Sequence, residues 1–540
     1  MFAWNFGDII DGVSAVLPSD APALIHGERV MRWGEATARS NRLARALIAL
    51  GATPGDKVAI YMHNRPEYTE ALAACFKARL THVNVNYRYT PDEVHYIFDN
   101  SDAAIVVYGE EFRRNIETIR PRLTQVRAFV EVGPGGDFAT AFEDLATAGD
   151  PSPLDIRRSP DDLFFIYTGG TTGMPKGVMW THNDLRQITL MAARALGPVP
   201  GTLDELVAAT QKVGPGAASV IAPPLMHGTG LLTAMGGLLS GGAVITLPSL
   251  HFTASEMLDA IDRWKPANLT IVGDPFARPL AEALDREPGR WDVSGVQRIT
   301  SSGVMWSLEV KRALLRHMPQ AALADAFSSS EALGLGASVM TAAGEQPTAK
   351  FALGTRAKVF DENDQPVLPG SGVRGMVAVG PPHPVGYYKD PEKTARTFRV
   401  IDGVKYSIPG DWCLVEADGT LTLLGRGNAC INTAGEKVFP EEVEEALKTH
   451  PDVEDALVVG LPDPKWGQSV TGVVRLYAGR ELDEGVLIAH VRTTLAAYKA
   501  PKRIVTGEVN LRAPNGKADY KSATTFAAER LAPKPAAAAE

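Results

Sequence analysis

The chain has 540 residues, with 54 Lys and Arg against 63 Asp and Glu, a formal charge of −9. That length accommodates several cores, since domains run about 50–250 residues, and 45% apolar with 22% charged content is ordinary for a globular enzyme. The acidic balance and the lack of a dense basic run exclude a nucleic-acid footprint, and no run approaches the roughly 20 apolar residues of a transmembrane segment. Three widely spaced cysteines, Cys75, Cys413 and Cys430, form no Cys-x-x-Cys pair and no metal-like spacing. A reducing, cytoplasmic setting is expected. The first eight residues lack a basic stretch followed by an apolar one, so they do not read as a signal peptide.

In chain order, 57–62 predicts a strand and 65–80 a helix, with Asn64 as its N-cap and Pro66 in its first turn. Further strands are predicted at 104–108, 163–167, 243–247 and 268–272. This alternation argues for α/β layers. Near Gly425-Arg426-Gly427-Asn428 the segments become shorter and mixed. Residues 440–448 predict a helix opened by Pro440, with Glu441 and Glu442 at its positive end and Lys448 at its negative end. Strands at 456–459 and 470–474 and a helix at 484–498 follow. The expected fold class is α/β: a large N-terminal domain of layered sheets over 1–425, then a smaller α+β domain over 426–531. A low-complexity tail at 532–540 is expected to be disordered.

The most telling segment is Thr168-Gly169-Gly170-Thr171-Thr172-Gly173-Met174-Pro175-Lys176-Gly177, directly after the apolar run 163–167. Glycines let backbone N–H groups crowd around an anion, threonines add hydroxyl donors, and lysine adds a compact positive charge. The segment is therefore a phosphate cradle. It matches neither G-x-x-x-x-G-K-[ST], because Pro175 precedes the lysine, nor G-x-G-x-x-G.

This loop resembles the phosphate-binding loop of the adenylate-forming superfamily, which includes acyl-CoA synthetases, luciferases and peptide-synthetase adenylation domains. Four further segments, in the same order along the chain, extend the resemblance. Asp325-Ala326-Phe327-Ser328-Ser329-Ser330-Glu331 is similar to the family's aromatic-Gly-x-Thr-Glu motif, with Ser328 in the glycine place. Pro409-Gly410-Asp411-Trp412 is similar to its Gly-Asp motif. The stretch 425–444 resembles the hinge and following hairpin, with Asn428 where Asp or Lys is usual and Ala434 where glycine is usual. Arg512-Ala513-Pro514-Asn515-Gly516-Lys517 resembles the catalytic-lysine motif.

The resemblance implies roles for these residues. Thr168, Thr171, Thr172 and Lys176 would hold the triphosphate of ATP. Phe327 would stack on adenine, Asp325 would accept from its amino group, and the segment at Gly303 would pass beneath it. Ser328 belongs to the same site, Ser330 would donate to phosphate, and Glu331 would hold Mg2+. Asp411 would bind the ribose, and Arg426 ribose or phosphate. Lys517 would stabilise charge between the acyl carboxylate and the α-phosphate. Asn428 would be the hinge of a mobile C-terminal domain, whose hairpin, with Gly435 and Lys437, would serve the coenzyme A step.

Ala222-Pro223-Pro224-Leu225-Met226-His227-Gly228-Thr229-Gly230 resembles the segment that gates the acyl pocket. His227 would orient the carboxylate or swing aside, a buried structural histidine being the alternative. Gly273 and Val304 are candidates for the pocket wall. The stretch 165–180 together with 435–440 looks most like bacterial fatty-acid and steroid-side-chain CoA synthetases. The expected function is therefore AMP-forming acyl-CoA synthesis from a hydrophobic acid, with ATP, Mg2+ and coenzyme A. A homodimer is left open. The alternatives are delivery of the acyl-AMP to a carrier protein, and a catalytically inert relative.

Overall fold

The computed structural model describes residues 3–532 apart from 169–173, 195–196, 305, 345–349, 427–430, 434–435, 464–466, 496 and 514–517. At 192, 426, 432, 436, 437, 467 and 494 it describes the backbone alone. The chain forms two compact units. One comprises Met1–Thr348, Gly354–Arg356 and Val379–Ser407; the other comprises Ala349–Leu353, Ala357–Ala378 and Ile408–Glu540. The tail expected over 532–540 lies outside the described residues from 533 onward. Among the described residues no helix is long and apolar enough to cross a membrane.

The first unit is layered α/β. One of its sheets runs in the order Arg29–Arg32, Pro22–His26, Gly242–Thr246, Gly216–Ile221, Asn268–Ile271, Arg298–Ser302, Ala322–Ser329, Ala332–Met340. Every pairing from Pro22–His26 to Ala322–Ser329 is parallel, and the outer two are antiparallel. A second, all-parallel sheet runs Thr81–Asn84, Lys57–Tyr61, Ala103–Gly109, Ala128–Val132, Ala139–Ala141. Parallel strands are covered on both faces, which is why they read as unbroken apolar runs; Ala103–Gly109 is buried at every position.

The helix expected at 65–80 spans Pro66–Lys77, and Arg65 rather than Asn64 is its N-cap, with no capping side chain. The Asn64 amide is used elsewhere: Nδ2 donates to the Pro223 carbonyl (3.1 Å) and Oδ1 accepts from Leu225 N–H (2.7 Å). A cap was the local use for an asparagine at that place, but the side chain instead satisfies backbone groups of the segment 223–225.

A third, antiparallel sheet joins Leu163–Thr168, Lys176–Thr181 and Gly386–Tyr387. Alternation along a strand sends successive side chains to opposite faces. Here Phe164 and Ile166 enter one core with Val178 and Trp180, whereas Phe165 and Tyr167 enter another with Tyr61 and Phe98. The strand is thus clamped between two cores. The His82 and Phe164 rings stack at 5.3 Å, and burial pushes the His82 and His182 imidazoles down to about 3, so both are neutral packing groups at working pH.

One sheet in the second unit joins Glu436–Val438, Ile431–Thr433, Gly467–Leu476 and Val453–Asp463, with Arg503–Thr506 parallel to Gly467–Leu476. The helix Pro440–Lys448 matches its expected bounds and packs Val443, Ala446 and Leu447 into that unit's core. Glu442 reaches back to the Phe439 N–H (3.2 Å) and satisfies one of the first-turn donors. The helix expected at 484–498 ends at Thr494.

Phe164 is fully buried between the His82 and Phe76 rings. Phe164→Ala should destabilise the first unit by about 3–5 kcal/mol, read from its denaturant transition. A loss below about 1 kcal/mol would contradict the enclosure of Phe164 in its core.

Candidate active site

In the first unit, several of the residues that the sequence singles out follow the ends of four adjacent parallel strands. Ile221, Thr270, Thr300 and Ala324 form one rung across Gly216–Ile221, Asn268–Ile271, Arg298–Ser302 and Ala322–Ser329. Three residues beyond this rung lie Gly273, Gly303 and Phe327, and the segment 222–227 directly follows Ile221. The C-terminal edge of an open parallel sheet is where such folds place ligands. Gly303 has φ +94°, a left-handed conformation that side-chain-bearing residues rarely adopt. The Ser301 hydroxyl accepts from the Gly273 N–H (2.9 Å), tying the two strand ends together. Val304 is half-buried, as is His227, the N-cap of the helix Gly228–Leu239.

The two strands that flank the glycine loop meet the same region from their own sheet. Thr168 and Lys176 are paired directly across the antiparallel ladder, so both stand at the mouth of the glycine loop. One rung back, Gly177 faces Tyr167. A Cβ on Gly177 would lie 2.7 Å from the Tyr167 ring, so only glycine fits beneath that aromatic. Thr171 and Thr172 lie outside the described residues.

Buried polar groups missed in the sequence reading fix this hairpin. The Asn84 carboxamide accepts from Tyr167 N–H (2.7 Å) and donates to the carbonyls of Tyr167 (3.0 Å) and Met226 (2.6 Å). It therefore links the loop strand to the segment containing His227. Trp180, fully buried, donates its indole N–H to the Ser330 carbonyl (3.0 Å) and so ties the hairpin to the Ser330-Glu331 turn. A buried asparagine ending a parallel strand was the one signal for Asn84; nothing local marks Trp180.

Phe327 is buried, and Ser328 Oγ accepts from the Gly334 N–H (3.1 Å). Asp325 faces Lys311, whose Nζ lies 3.1 Å from Oδ2, with both side chains almost fully enclosed. Burial pushes the Asp325 carboxyl up, against the opposing pull of Lys311. Lys311 was missed because it lies on the helix Leu308–His317, outside every motif. Glu331 Oε1 accepts from the Tyr387 hydroxyl (2.7 Å), and the Ser407 hydroxyl donates to the Glu331 carbonyl (2.6 Å). Lys176 forms an ion pair with Asp390. Asp390-Pro391 reads as an N-cap followed by proline at N1, which was the available signal for Asp390.

In the second unit Asp411 is buried, opens the strand Asp411–Val415, and pairs with Arg426 in register. Lys437 pairs through its backbone with Asn432. Asn428, Gly435 and Lys517 lie outside the described residues. Arg512, five positions before Lys517, forms a bidentate pair with Asp455: Nε to Oδ2 at 2.8 Å and Nη2 to Oδ1 at 2.6 Å. Burial pushes the Asp455 carboxyl up, but the Arg512 guanidinium outweighs it and holds the group below its ordinary range.

Comparison with known proteins agrees with this geometry. The family described as AMP-binding enzyme matches residues 13–388, and its AMP-binding enzyme C-terminal domain matches residues 442–517. The chain belongs to the AMP-binding enzyme family, the adenylate-forming group that its motifs resemble. A medium/long-chain-fatty-acid–CoA/3-oxocholest-4-en-26-oate–CoA ligase of Mycobacterium marinum is 37% identical, over 99% of this chain and 98% of its own. A 3-oxocholest-4-en-26-oate–CoA ligase of Rhodococcus rhodochrous is 38% identical, over 96% and 95%. Among solved structures, an anthranilate CoA ligase in complex with anthranoyl-AMP has a TM-score of 0.82 at 21% identity, covering 98% of each chain. ATP-bound MatB from Rhodopseudomonas palustris has 0.80 at 24%, over 97% of this chain and 99% of its own. At these identities the two structures show the shared fold.

The Asp455–Arg512 pair generates a stability prediction. A carboxyl whose pKa is depressed on folding stabilises above its unfolded pKa and ceases to do so as pH falls through the folded value. Backbone amides of Val453–Asp463 should therefore lose exchange protection as pH drops below about 4, and Asp455→Asn should remove that dependence. The substitution should also cost about 2–3 kcal/mol at neutral pH, less than for a fully buried pair because Arg512 keeps 20% of its side chain exposed. Equal acid sensitivity in the variant would contradict the assignment.

Proposed function

We propose that the chain is an AMP-forming acyl-CoA synthetase. A carboxylic acid attacks the α-phosphate of ATP, giving acyl-AMP and pyrophosphate; the coenzyme A thiol then displaces AMP to give the thioester. The observation that carries this reading is the convergence of Gly273, Gly303, His227 and the Phe327–Glu331 segment on one edge of a parallel sheet. The Thr168–Lys176 hairpin mouth is tied to that edge through Asn84 and Trp180.

The first half-reaction brings two anions together, so the protein must offer positive charge and donors where charge develops. Thr168, Thr171, Thr172 and Lys176 serve the triphosphate. Phe327, Ser328, Gly303 and Asp325 border the adenine, with Asp325 oriented by Lys311. Asp411 and Arg426 serve the ribose, and Lys517 bridges the acyl carboxylate and the α-phosphate. Rotation of the C-terminal domain about Asn428 exchanges Lys517 for the hairpin with Gly435 and Lys437.

Glu331 is a hard oxygen donor held by the Tyr387 hydroxyl. Mg2+ keeps several waters and takes one or two carboxylates plus substrate phosphates, so a single glutamate fits it. Bound there, Mg2+ would offset phosphate charge. The hydrophobic acid, medium-chain, long-chain or bearing a steroid side chain, follows the names of the relatives at 37–38% identity. A cytoplasmic setting suits the buried free thiols of Cys75 and Cys413.

Two measurements test the reading. Pyrophosphate release should depend on a hydrophobic acid in a panel of fatty, aromatic and steroid acids, and AMP and thioester should then appear together on adding coenzyme A. Transfer only to a carrier protein, or no release with any acid, would overturn it. Lys517→Ala should slow acyl-AMP formation by about 10²–10³-fold while sparing thioester formation from supplied acyl-AMP. Equal loss in both steps would count against the role of Lys517.

A further inference from the structure

The segment 385–390 touches Lys176, assigned to the triphosphate, and Glu331, assigned to its cation, and no motif includes it. Its strand Gly386–Tyr387 pairs antiparallel with the loop strand, placing Gly386 opposite Met179 and Tyr387 opposite Val178. Two more backbone bonds extend that contact: Val385 N–H to the Met179 carbonyl and Tyr388 N–H to the Gly177 carbonyl, both 2.8 Å. Its side chains then divide the work. The Tyr387 hydroxyl fixes Glu331 Oε1. Asp390 Oδ1 caps the helix Pro391–Thr397 by accepting from the Lys393 N–H (2.9 Å), while Oδ2 takes the Lys176 ammonium. Tyr388 and Lys389 anchor the segment again on Asp102, each at 2.7 Å.

We infer that Asp390 is the resident counter-ion of Lys176, a positioning residue that holds the loop lysine beside the hairpin and yields it to the triphosphate. This rests on the reading of Lys176 as a triphosphate ligand. Asp390 is anchored by its cap and by a segment tied down on two sides, whereas lysine is a point charge on a flexible four-carbon stem. When the pair opens, Lys176 is the partner that moves. The pair is also displaceable: the Lys176 and Asp390 side chains remain 32% and 20% exposed, and ion pairs that water reaches are weak. A triphosphate brings several negative charges to the same ammonium, so it outcompetes one partly exposed carboxylate. The carboxylate meanwhile keeps the lysine ordered at the loop mouth.

The direct test is calorimetric titration of the full chain with ATP in the absence of acid. Asp390→Asn keeps a capping oxygen and removes only the charge. It should bind ATP about two- to fivefold more tightly than wild type, with KM for ATP falling while KM for the acid is unmoved. Lys176→Met should weaken ATP binding, and adding Asp390→Asn to it should change nothing further. Asp390→Ser, a second cap-preserving variant, should behave as Asp390→Asn and serves if that protein does not fold. Unchanged or weaker ATP binding in the charge-removed variants, or an effect that persists without Lys176, would overturn the inference. Tighter binding in a protein that releases no pyrophosphate with any acid would support the counter-ion and sink the synthetase reading. A wild type that binds no ATP would sink both.

Discussion

Everything at the candidate site depends on the in-register parallel pairing of Gly216–Ile221, Asn268–Ile271, Arg298–Ser302 and Ala322–Ser329. Parallel pairing makes the four strands end on the same side, so segments separated by a hundred residues of sequence emerge side by side. A slip of one residue would turn every side chain to the opposite face, moving Ile299 and Ser301, the buried positions of Arg298–Ser302, to the side where its less buried neighbours stand. The chemistry-bearing residues then need little order of their own. They begin where the rungs stop.

A sheet edge alone does not orient charge, and buried polar side chains with several partners supply that orientation. Asn84 uses its carbonyl oxygen and its amide nitrogen to bind the loop strand and the His227 segment. Trp180 ties the same hairpin to the Ser330 carbonyl, and Tyr387 holds the Glu331 carboxylate. A buried donor left without its partner costs about 1–3 kcal/mol, so each link resists the displacement of the group it holds. Preorganised charge is what an adenylation step requires, since the two reacting groups repel each other. The Lys176–Asp390 pair extends this logic, with the segment that organises Glu331 also carrying the counter-charge of the loop lysine.

Different parts of this arrangement were legible in the sequence to different degrees. Ala103–Gly109 and Gly242–Thr246 were legible because burial at every position leaves a nearly unbroken apolar run, whereas Gly216–Ile221 and Arg298–Ser302, with less buried positions and fewer apolar residues, were not predicted; the helix Pro440–Lys448 was legible because proline, acids and lysine mark its two ends. Asn64 was misread as a cap because its partners lie 159 and 161 positions away, at Pro223 and Leu225, where local pattern carries no information. The same limit hid Asn84, Lys311, Tyr387 and Asp390. Each acts through a partner on another element, and none belongs to the loop, aromatic, Gly-Asp, hinge or lysine motifs. Motif residues such as Lys176, Gly303 and Glu331 stood out because their residue types state a chemistry; the groups that hold them state only a geometry, which the fold creates.

The most direct test of this account is the crystal structure of the chain with ATP bound. The account predicts the triphosphate at the mouth of the 168–176 loop, with the Lys176 ammonium turned from Asp390 onto phosphate oxygen and the adenine at the ends of Arg298–Ser302 and Ala322–Ser329. A nucleotide seated away from that edge, with Lys176 still paired to Asp390, would contradict it.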